Sequence, residues 1–409
     1  GNGRDMRACP PTLAFQAYTT QQSSVAQARV NDGVQIENTF SWFVPGRRGD
    51  HDVKVGGQLQ YSGSRNVNDG NLNGTFSFGR SDGPFDPSNF STYPERFSVR
   101  VPGQSRSYNK AMFYAAFVQD KWKVSDGLTL SLGLRYDLEV IPIKELDNPL
   151  FSSPDAYPVD KNNIAPRVGF AYDLGGGRGV LRGGAGTFYD KTHFELIGGI
   201  YTNGVFSESF IRNFPLAGID PGPRSGRRPT DPFLVNGPVV NAELLAQLFP
   251  PGTRVRNTGA SWDNPDRRIP YTHQVTLGYA REFPNGLGAS IDYVHAFGRD
   301  LLMSRDLNPG LRATTSVTAP LVRQGSDALR AAVAALAAVY PGFAPFRTGV
   351  TIPVNVGRTD YDAAMVQIEK RHSNNWSARV SYTLAYSRGN TPGGGVPGSG
   401  FQVLDDLNL

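Results

Sequence analysis

The chain has 409 residues, with 41 Lys and Arg against 36 Asp and Glu, for a formal charge of +5. It has 47 glycines, 30 prolines and 11% aromatics, and no apolar run of about 18 residues, which excludes a membrane-spanning helix. The basic excess is scattered beside turns instead of gathered with stacking aromatics, so nucleic acid is not an expected partner.

The single cysteine, Cys9, excludes an internal disulfide. The opening GNGRDMRACPP lacks the charged-then-apolar pattern of a signal peptide, so a removed leader or an internal fragment is expected. Residues 1–33 carry no clear pattern and are read as a poorly defined N-terminal segment. From 34 onward one motif recurs five times.

The first copy, 34–64, is a strand, a Pro-Gly-rich turn and a returning strand with Val53, Val55, Gly57, Leu59 and Tyr61 on one face. Alternate side chains of a strand point to opposite faces. In the second copy the leading strand, 113–124, is out of phase. Val118 and Trp122 share a face with Asp120, while Ala115 and Phe117 share the other with Gln119 and Lys121. A β-bulge near Gln119-Asp120 would reconcile the two phases. After Ser125-Asp126-Gly127 the phase is clean: Leu128, Leu130, Leu132, Leu134 and Tyr136 alternate with Thr129, Ser131, Gly133, Arg135 and Asp137.

In 165–190, Pro166, Val168, Phe170 and Tyr172 oppose Arg167, Gly169, Ala171 and Asp173 before a turn at Gly175-Gly176-Gly177. In 271–298, Val275, Leu277 and Tyr279 lead into Pro284-Asn285-Gly286, and Leu287, Ala289, Ile291 and Tyr293 lead out. In 361–389 the turn is Ser373-Asn374-Asn375. Trp376, Ala378, Val380, Tyr382, Leu384 and Tyr386 then alternate with Ser377, Arg379, Ser381, Thr383 and Ala385. Residues 391–409 read as a Gly/Pro-rich loop and the start of a further segment.

The expected strands run about 10–13 residues, beyond the globular mode of five or six and right for a tilted membrane strand. The turns are short, whereas the other connections (62–110, 139–163, 191–270 and 299–360) are long, irregular and polar. That asymmetry belongs to an outer-membrane barrel, with tight periplasmic turns and long extracellular loops. Trp122, Tyr172, Phe283 and Trp376 lie beside the short turns, and Tyr136, Phe188, Tyr189, Tyr293 and Tyr386 at the far strand ends. They form two aromatic bands about one hydrocarbon thickness apart. The expected fold is all-β: an antiparallel transmembrane β-barrel spanning 34–390.

The segments FVQDKWKVSDGLTLSLGLRYD, NNIAPRVGFAYDLGGGRGVLRGGAGTFYD and YDAAMVQIEKRHSNNWSARVSYTLAYSRG resemble the barrel of TonB-dependent outer-membrane transporters, closest to the Oar-like branch. The resemblance implies a Gram-negative outer-membrane location and substrate landing on extracellular loops. It also implies a lumen plug, absent from this chain, that an inner-membrane TonB complex pulls. Plugged barrels have about 22 strands; ten firm strands and a few weaker ones are legible here, so an open part of a larger barrel is expected. An adhesion protein acting through its loops and a passive porin are the alternatives.

No nucleophile has a base in reach, so the chain reads as a non-enzyme without cofactor or metal. The Asn-rich stretch 66–74 reads as a turn, lacking the spaced carboxylates of a calcium loop. The polar-face charges Arg135, Asp137, Arg167, Asp173, Arg182, Glu369 and Arg379 are the candidates for plug or substrate contact, against the plainer reading of mutual pairing in a wet lumen. Helical composition marks 241–249 and 326–340, the latter with Ser326 as N-cap. The basic stretch 223–229 would meet anionic lipopolysaccharide or substrate.

Overall fold

The computed structural model describes residues 10–20, 27–68, 70–79, 82–102, 106–141, 159–176, 179–192, 194, 209–214, 232–235, 237–253, 255, 260, 261, 264, 266–306 and 350–390. Among them the strands are β1 Thr12–Ala14, β2 Gln27–Val44, β3 Asp50–Asn68, β4 Thr75–Ser77, β5 Arg96–Arg100, β6 Arg106–Lys123, β7 Leu128–Val140 and β8 Ile164–Asp173. They continue as β9 Gly179–Tyr189, β10 Ser209–Asn213, β11 Ala260–Ser261, β12 Tyr271–Phe283, β13 Leu287–Asp306, β14 Val350–Ser373 and β15 Trp376–Gly389. The α-helix α1 spans Ala242–Leu248.

The chain divides into two compact units, one from 1–31, 64–109 and 202–260, the other from 32–63, 110–201 and 261–409. The second unit holds most of an 11-stranded sheet ordered β11-β14-β13-β12-β9-β8-β7-β6-β3-β2, with β15 on β14. The pairings from β6 through β15 are antiparallel. Because neighbours in sequence are neighbours in space, the five short connections, which follow Val44, Lys123, Asp173, Phe283 and Ser373, leave their strands at one end. Their backbones show why these residues were needed: Gly46, Arg48, Gly49, Gly176, Asn285, Gly286, Asn374 and Asn375 all have positive φ. Among the described residues no pairing joins β2 to β15, so the sheet is open, as expected for part of a barrel.

Several strands exceed the expected 10–13 residues; β14 has 24 and β13 has 20. They continue into the stretch 299–360 read as irregular, where Val350, Ile352, Val354 and Val356 alternate with Thr351, Pro353, Asn355 and Gly357 on β14 and Leu301, Leu302 and Met303 lie on β13, so that reading is corrected at both its ends. Register shifts mark that continuation between Gly298 and Leu302 on β13.

Register turns the alternation into two continuous faces. Trp122, Leu130, Phe170, Gly183, Leu277, Tyr293, Ala364 and Leu384 stand opposite one another from β6 to β15. The neighbouring rung, on the other face, reads Lys123, Thr129, Ala171, Arg182, Gly278, Asp292, Met365 and Thr383. The apolar face is uncovered: Val380 is 66% exposed, Tyr382 65% and Ile291 51%. A patch this long marks an interaction surface, not a soluble exterior. Where glycine leaves a gap on it, an aromatic fills the space, as the Phe170 ring does over Gly183.

The expected bulge at Gln119-Asp120 is absent. β6 and β7 stay in register from Met112 opposite Val140 to Lys123 opposite Thr129. Asp120 therefore sits on the apolar face, opposite Leu132. A partner on the next strand, not a bulge, resolves the conflict. His51 Nδ1 lies 2.6 Å from Asp120 Oδ2, and the imidazole stacks on Trp122 with centroids 5.2 Å apart.

The first unit corrects the reading of 62–110 and 191–270 as irregular throughout. β1 runs parallel to β4, β4 antiparallel to β5 and β5 antiparallel to β10. Phe76, Phe78, Tyr93, Phe97, Val99, Phe214, Phe233, Leu234, Val240 and Leu245 form a buried core. The expected helix at 241–249 is α1. Asn241 caps it by accepting from Leu244 N–H at 2.8 Å, and Leu245 reaches the core. In the 66–74 stretch, Asn71 accepts from the Thr75 hydroxyl at 2.8 Å, and Asn73 donates to Pro10 O at 2.6 Å. Asn71 thus bonds within the turn, and Asn73 ties the turn to the segment before β1. The stretches 223–229, 326–340 and 391–409 lie outside the described residues, as does His193.

Candidate functional site

The polar face of the second unit gathers all seven charged candidates. Arg135 pairs across the sheet with Ala165, Arg167 with Gly133 and Gly186, and Asp173 with Val180. Arg182 faces Ala171 and Gly278, and Glu369 faces Gly288 and Arg379. Asp137 is two residues beyond Arg135 on β7, hence on the same face.

Small residues make room for long arms. Arg182 on β9 spans Gly278 on β12 to reach Asp292 on β13, with Nη2 2.8 Å from Oδ2 and Nε 3.1 Å from Oδ1. A side chain at Gly278 would collide with that carboxylate. This forked contact uses the planar guanidinium as two donors. Arg379 holds Glu369 directly across β15 and β14 at 2.8 Å, and Arg371 holds Glu282 at 2.7 Å. Arg135 donates to Asp137 at 2.8 Å and to Gln58 at 3.2 Å. Arg167 lies over the Phe188 ring, 4.4 Å from its centroid. Asp173 accepts from Gly175 N–H at 3.1 Å, within its turn.

Most of these charges are thus paired with one another, which rigidifies the wall and leaves it close to neutral. Such a wall can hold polar partners by exchange of hydrogen bonds. It offers no catalytic constellation, since the described histidines are engaged elsewhere or solitary. His273 Nδ1 is 2.9 Å from the Thr187 hydroxyl and His295 Nδ1 is 2.8 Å from Asp362, both on the apolar face, and His372 is exposed. Among the described residues no three His, Cys, Asp or Glu side chains cluster to hold a metal.

The seven girdle candidates all lie on the apolar face. Trp122 pairs with Leu130, Tyr172 with Leu128, and Tyr136 with Ile164. Tyr189 pairs with Tyr271, Tyr293 with Leu277, and Tyr386 with Asp362. Trp376 is two residues before Ala378, which faces Lys370, whose ammonium lies 5.1 Å from the indole centroid. Sequence reasoning missed the His51–Asp120 pair and the core of the first unit. An acid in an apolar register was the available sign of the pair; concentrated phenylalanine in the loops was the sign of the core.

A two-faced antiparallel sheet, apolar and exposed on one side and polar with paired charges on the other, is the wall of a membrane β-barrel. The chain belongs to the outer membrane beta barrel domain family, which it matches over residues 5–408. Its place is the outer membrane of a Gram-negative envelope.

Among solved structures it is similar to the outer membrane transporter YddB from Escherichia coli, at 13% identity and TM-score 0.52, covering 89% of this chain and 34% of that one. It is also similar to the pyoverdine receptor FpvA from Pseudomonas aeruginosa (13% identity, TM-score 0.45, 89% and 37% covered). The alcaligin receptor FauA from Bordetella pertussis is a third (10% identity, TM-score 0.41, 89% and 40% covered). The chain spans 34–40% of the length of these proteins. Comparison with curated proteins finds no match.

Proposed function

We propose that the chain is the barrel portion, 34–390, of a TonB-dependent outer-membrane receptor of the Oar-like branch that imports a bulky nutrient. Energy comes from an inner-membrane TonB complex acting through a plug outside this chain. The observation that supports this is the polar wall with its glycine-spaced arginine arms, in a sheet left open for further strands. Arg135, Asp137, Arg167, Asp173, Arg182, Glu369 and Arg379 face that lumen, where exchangeable hydrogen bonds suit a removable plug. Trp122, Tyr172 and Trp376 beside the short turns and Tyr136, Tyr189 and Tyr386 at the far strand ends sit at the two headgroup levels, while Tyr293 lies deeper in the band. The short-turn end faces the periplasm and the long-loop end the exterior, where substrate and lipopolysaccharide are met.

The test is site-specific cross-linking of the full-length protein to the periplasmic domain of TonB in cells, with and without a protonophore. An energy-dependent adduct supports import. Surface binding of the substrate or of other cells with no TonB adduct would favour an adhesion protein, for which the separate core of the first unit would be the working part.

A further inference from the structure

Beyond Tyr189, where β9 ends, the chain adds one more bond to its ladder with β12, from Asp190 N–H to Pro270 O at 2.9 Å. It then turns over the polar face. Thr192 N–H donates to Glu139 Oε2 on β7 at 3.0 Å. Lys191 Nζ donates to Gln60 Oε1 on β3 at 2.7 Å and lies 4.3 Å from the centroid of the Phe113 ring on β6. Glu139 and Phe113 stand opposite each other, two rungs outward of Arg135 and Phe117. β9 and β3 are four positions apart in the sheet, about 19 Å along its surface. Two residues of extended chain reach about 7 Å, and a lysine arm adds about as much. The contact therefore requires the polar face to be concave here, with this limb cutting across the concavity. The returning limb, 266–270, is held from other strands. Arg267 Nη1 donates to the Thr192 hydroxyl at 3.5 Å. Asn355 on β14 holds both backbone groups of Arg268, accepting from its N–H at 2.8 Å and donating to its carbonyl at 3.0 Å. Ile269 N–H donates to Asp160 Oδ2 at 2.9 Å.

We infer that 190–192 is an inward-folded strap that shuts part of the lumen mouth, with Lys191 and Thr192 as its latch and 266–270 as its fixed post. The inference rests on the reading of the polar face as lumen and of the long-loop end as outward. Glu139 lies three residues beyond Tyr136, so the latch stands in the aqueous mouth, clear of the hydrocarbon. The two limbs differ in how they are held. Backbone groups tie the post, at Arg268 and Ile269, so it moves only with the chain itself. Each latch group meets the wall through a side chain. The Lys191 ammonium rests on an amide oxygen and a ring face, neither of them an anion. That hold is weaker than an ion pair, so the strap swings away without breaking a salt bridge. Every residue of this gate belongs to the wall or to its own connection. It therefore screens the lumen from large solutes separately from any plug beneath.

The full-length protein carrying Gln119→Cys and Cys9→Ser is labelled in intact cells with a maleimide too large to cross the outer membrane unaided. Gln119 is exposed on the polar face, three rungs deeper than Glu139. The latch is tuned at Gln60. Gln60→Lys sets a second ammonium against Lys191 and should speed labelling at least about tenfold, as the loss of one charge-assisted hydrogen bond gives. Gln60→Glu supplies an anion instead and should slow labelling below the rate with Gln60 intact, an effect that general loosening of the fold does not give. The folded fraction, read from gel mobility with and without heating, should match in all three proteins. Equal, measurable rates in the three overturn the strap as a gate, and so does acceleration by both substitutions. Reaction of all three only after detergent is added refutes instead the lumen reading on which the inference rests.

Discussion

Placing arginine at Ile291 asks whether the apolar face meets lipid. Ile291 lies midway along the apolar run from Leu287 to His295, half exposed, with Tyr279 and Val366 opposite it. The adjoining rungs add Leu277, Tyr293, Ala364, Ala289 and Ile368, and one cation, Arg281, but no acid. An arginine near the bilayer midplane on that face costs about 2–4 kcal/mol. At ~1.4 kcal/mol per factor of ten, the ratio of folded to unfolded protein falls roughly 30- to 700-fold. Ser290→Arg, one residue away, points to the polar wall between Ala280 and Gln367, with Glu282 and Glu369 one rung off. It should cost little. The assay is urea unfolding of the full-length protein in lipid vesicles, read by gel mobility before and after heating. Equal losses for the two variants, or a larger loss for Ser290→Arg, would refute the assignment of faces. Leu132→Arg should be milder than Ile291→Arg, because Asp120 stands directly opposite and supplies a partner.

The same unfolding assay checks three further expectations. Asp120→Val or His51→Leu alone should destabilise more than the two together, since each single change strands a polar group in an apolar setting and the double change removes both. Additive losses would argue against a coupled pair. Gly278→Ala should cost about 1–3 kcal/mol through collision with Asp292, and Asp292→Ala should remove most of that penalty. The Asp126 carboxyl, in a turn, is held below its ordinary range chiefly by the hydrogen bond from Lys123 and then by its charge. A depressed carboxylate contributes stability above the unfolded pKa and loses it as pH falls through the folded one. Asp126→Asn should therefore narrow the gap to wild type only on the acid side of about pH 4; a difference that grew toward acid would contradict this.

Strand phase was legible wherever the apolar band runs uninterrupted, as in Leu128 to Tyr136 or Trp376 to Tyr386, because a period of two survives any barrel size. Tight turns were legible through Gly and Asn, the residues that accept positive φ. β6 was not, because what permits Asp120 on the apolar face is His51, 69 residues away and adjacent only once β3 lies beside β6. The first unit was hidden for a related reason. Phe76, Phe97, Phe214 and Phe233 come from segments too short to carry a period, and their core exists only when those segments meet. The polar charges were legible as a set, but their pairing was not: Arg182 meets Asp292 across an intervening strand, which residue spacing along one strand does not encode.

The central claim is that one face of this sheet meets lipid and the other water. Cysteine scanning along β15 from Val380 to Ala385, in the full-length protein in native membranes with Cys9 replaced by serine, tests it most directly. With a water-soluble maleimide, cysteines at Ser381, Thr383 and Ala385 should label, and those at Val380, Tyr382 and Leu384 should react only after detergent is added. Labelling without alternation, or with the opposite phase, would contradict the account.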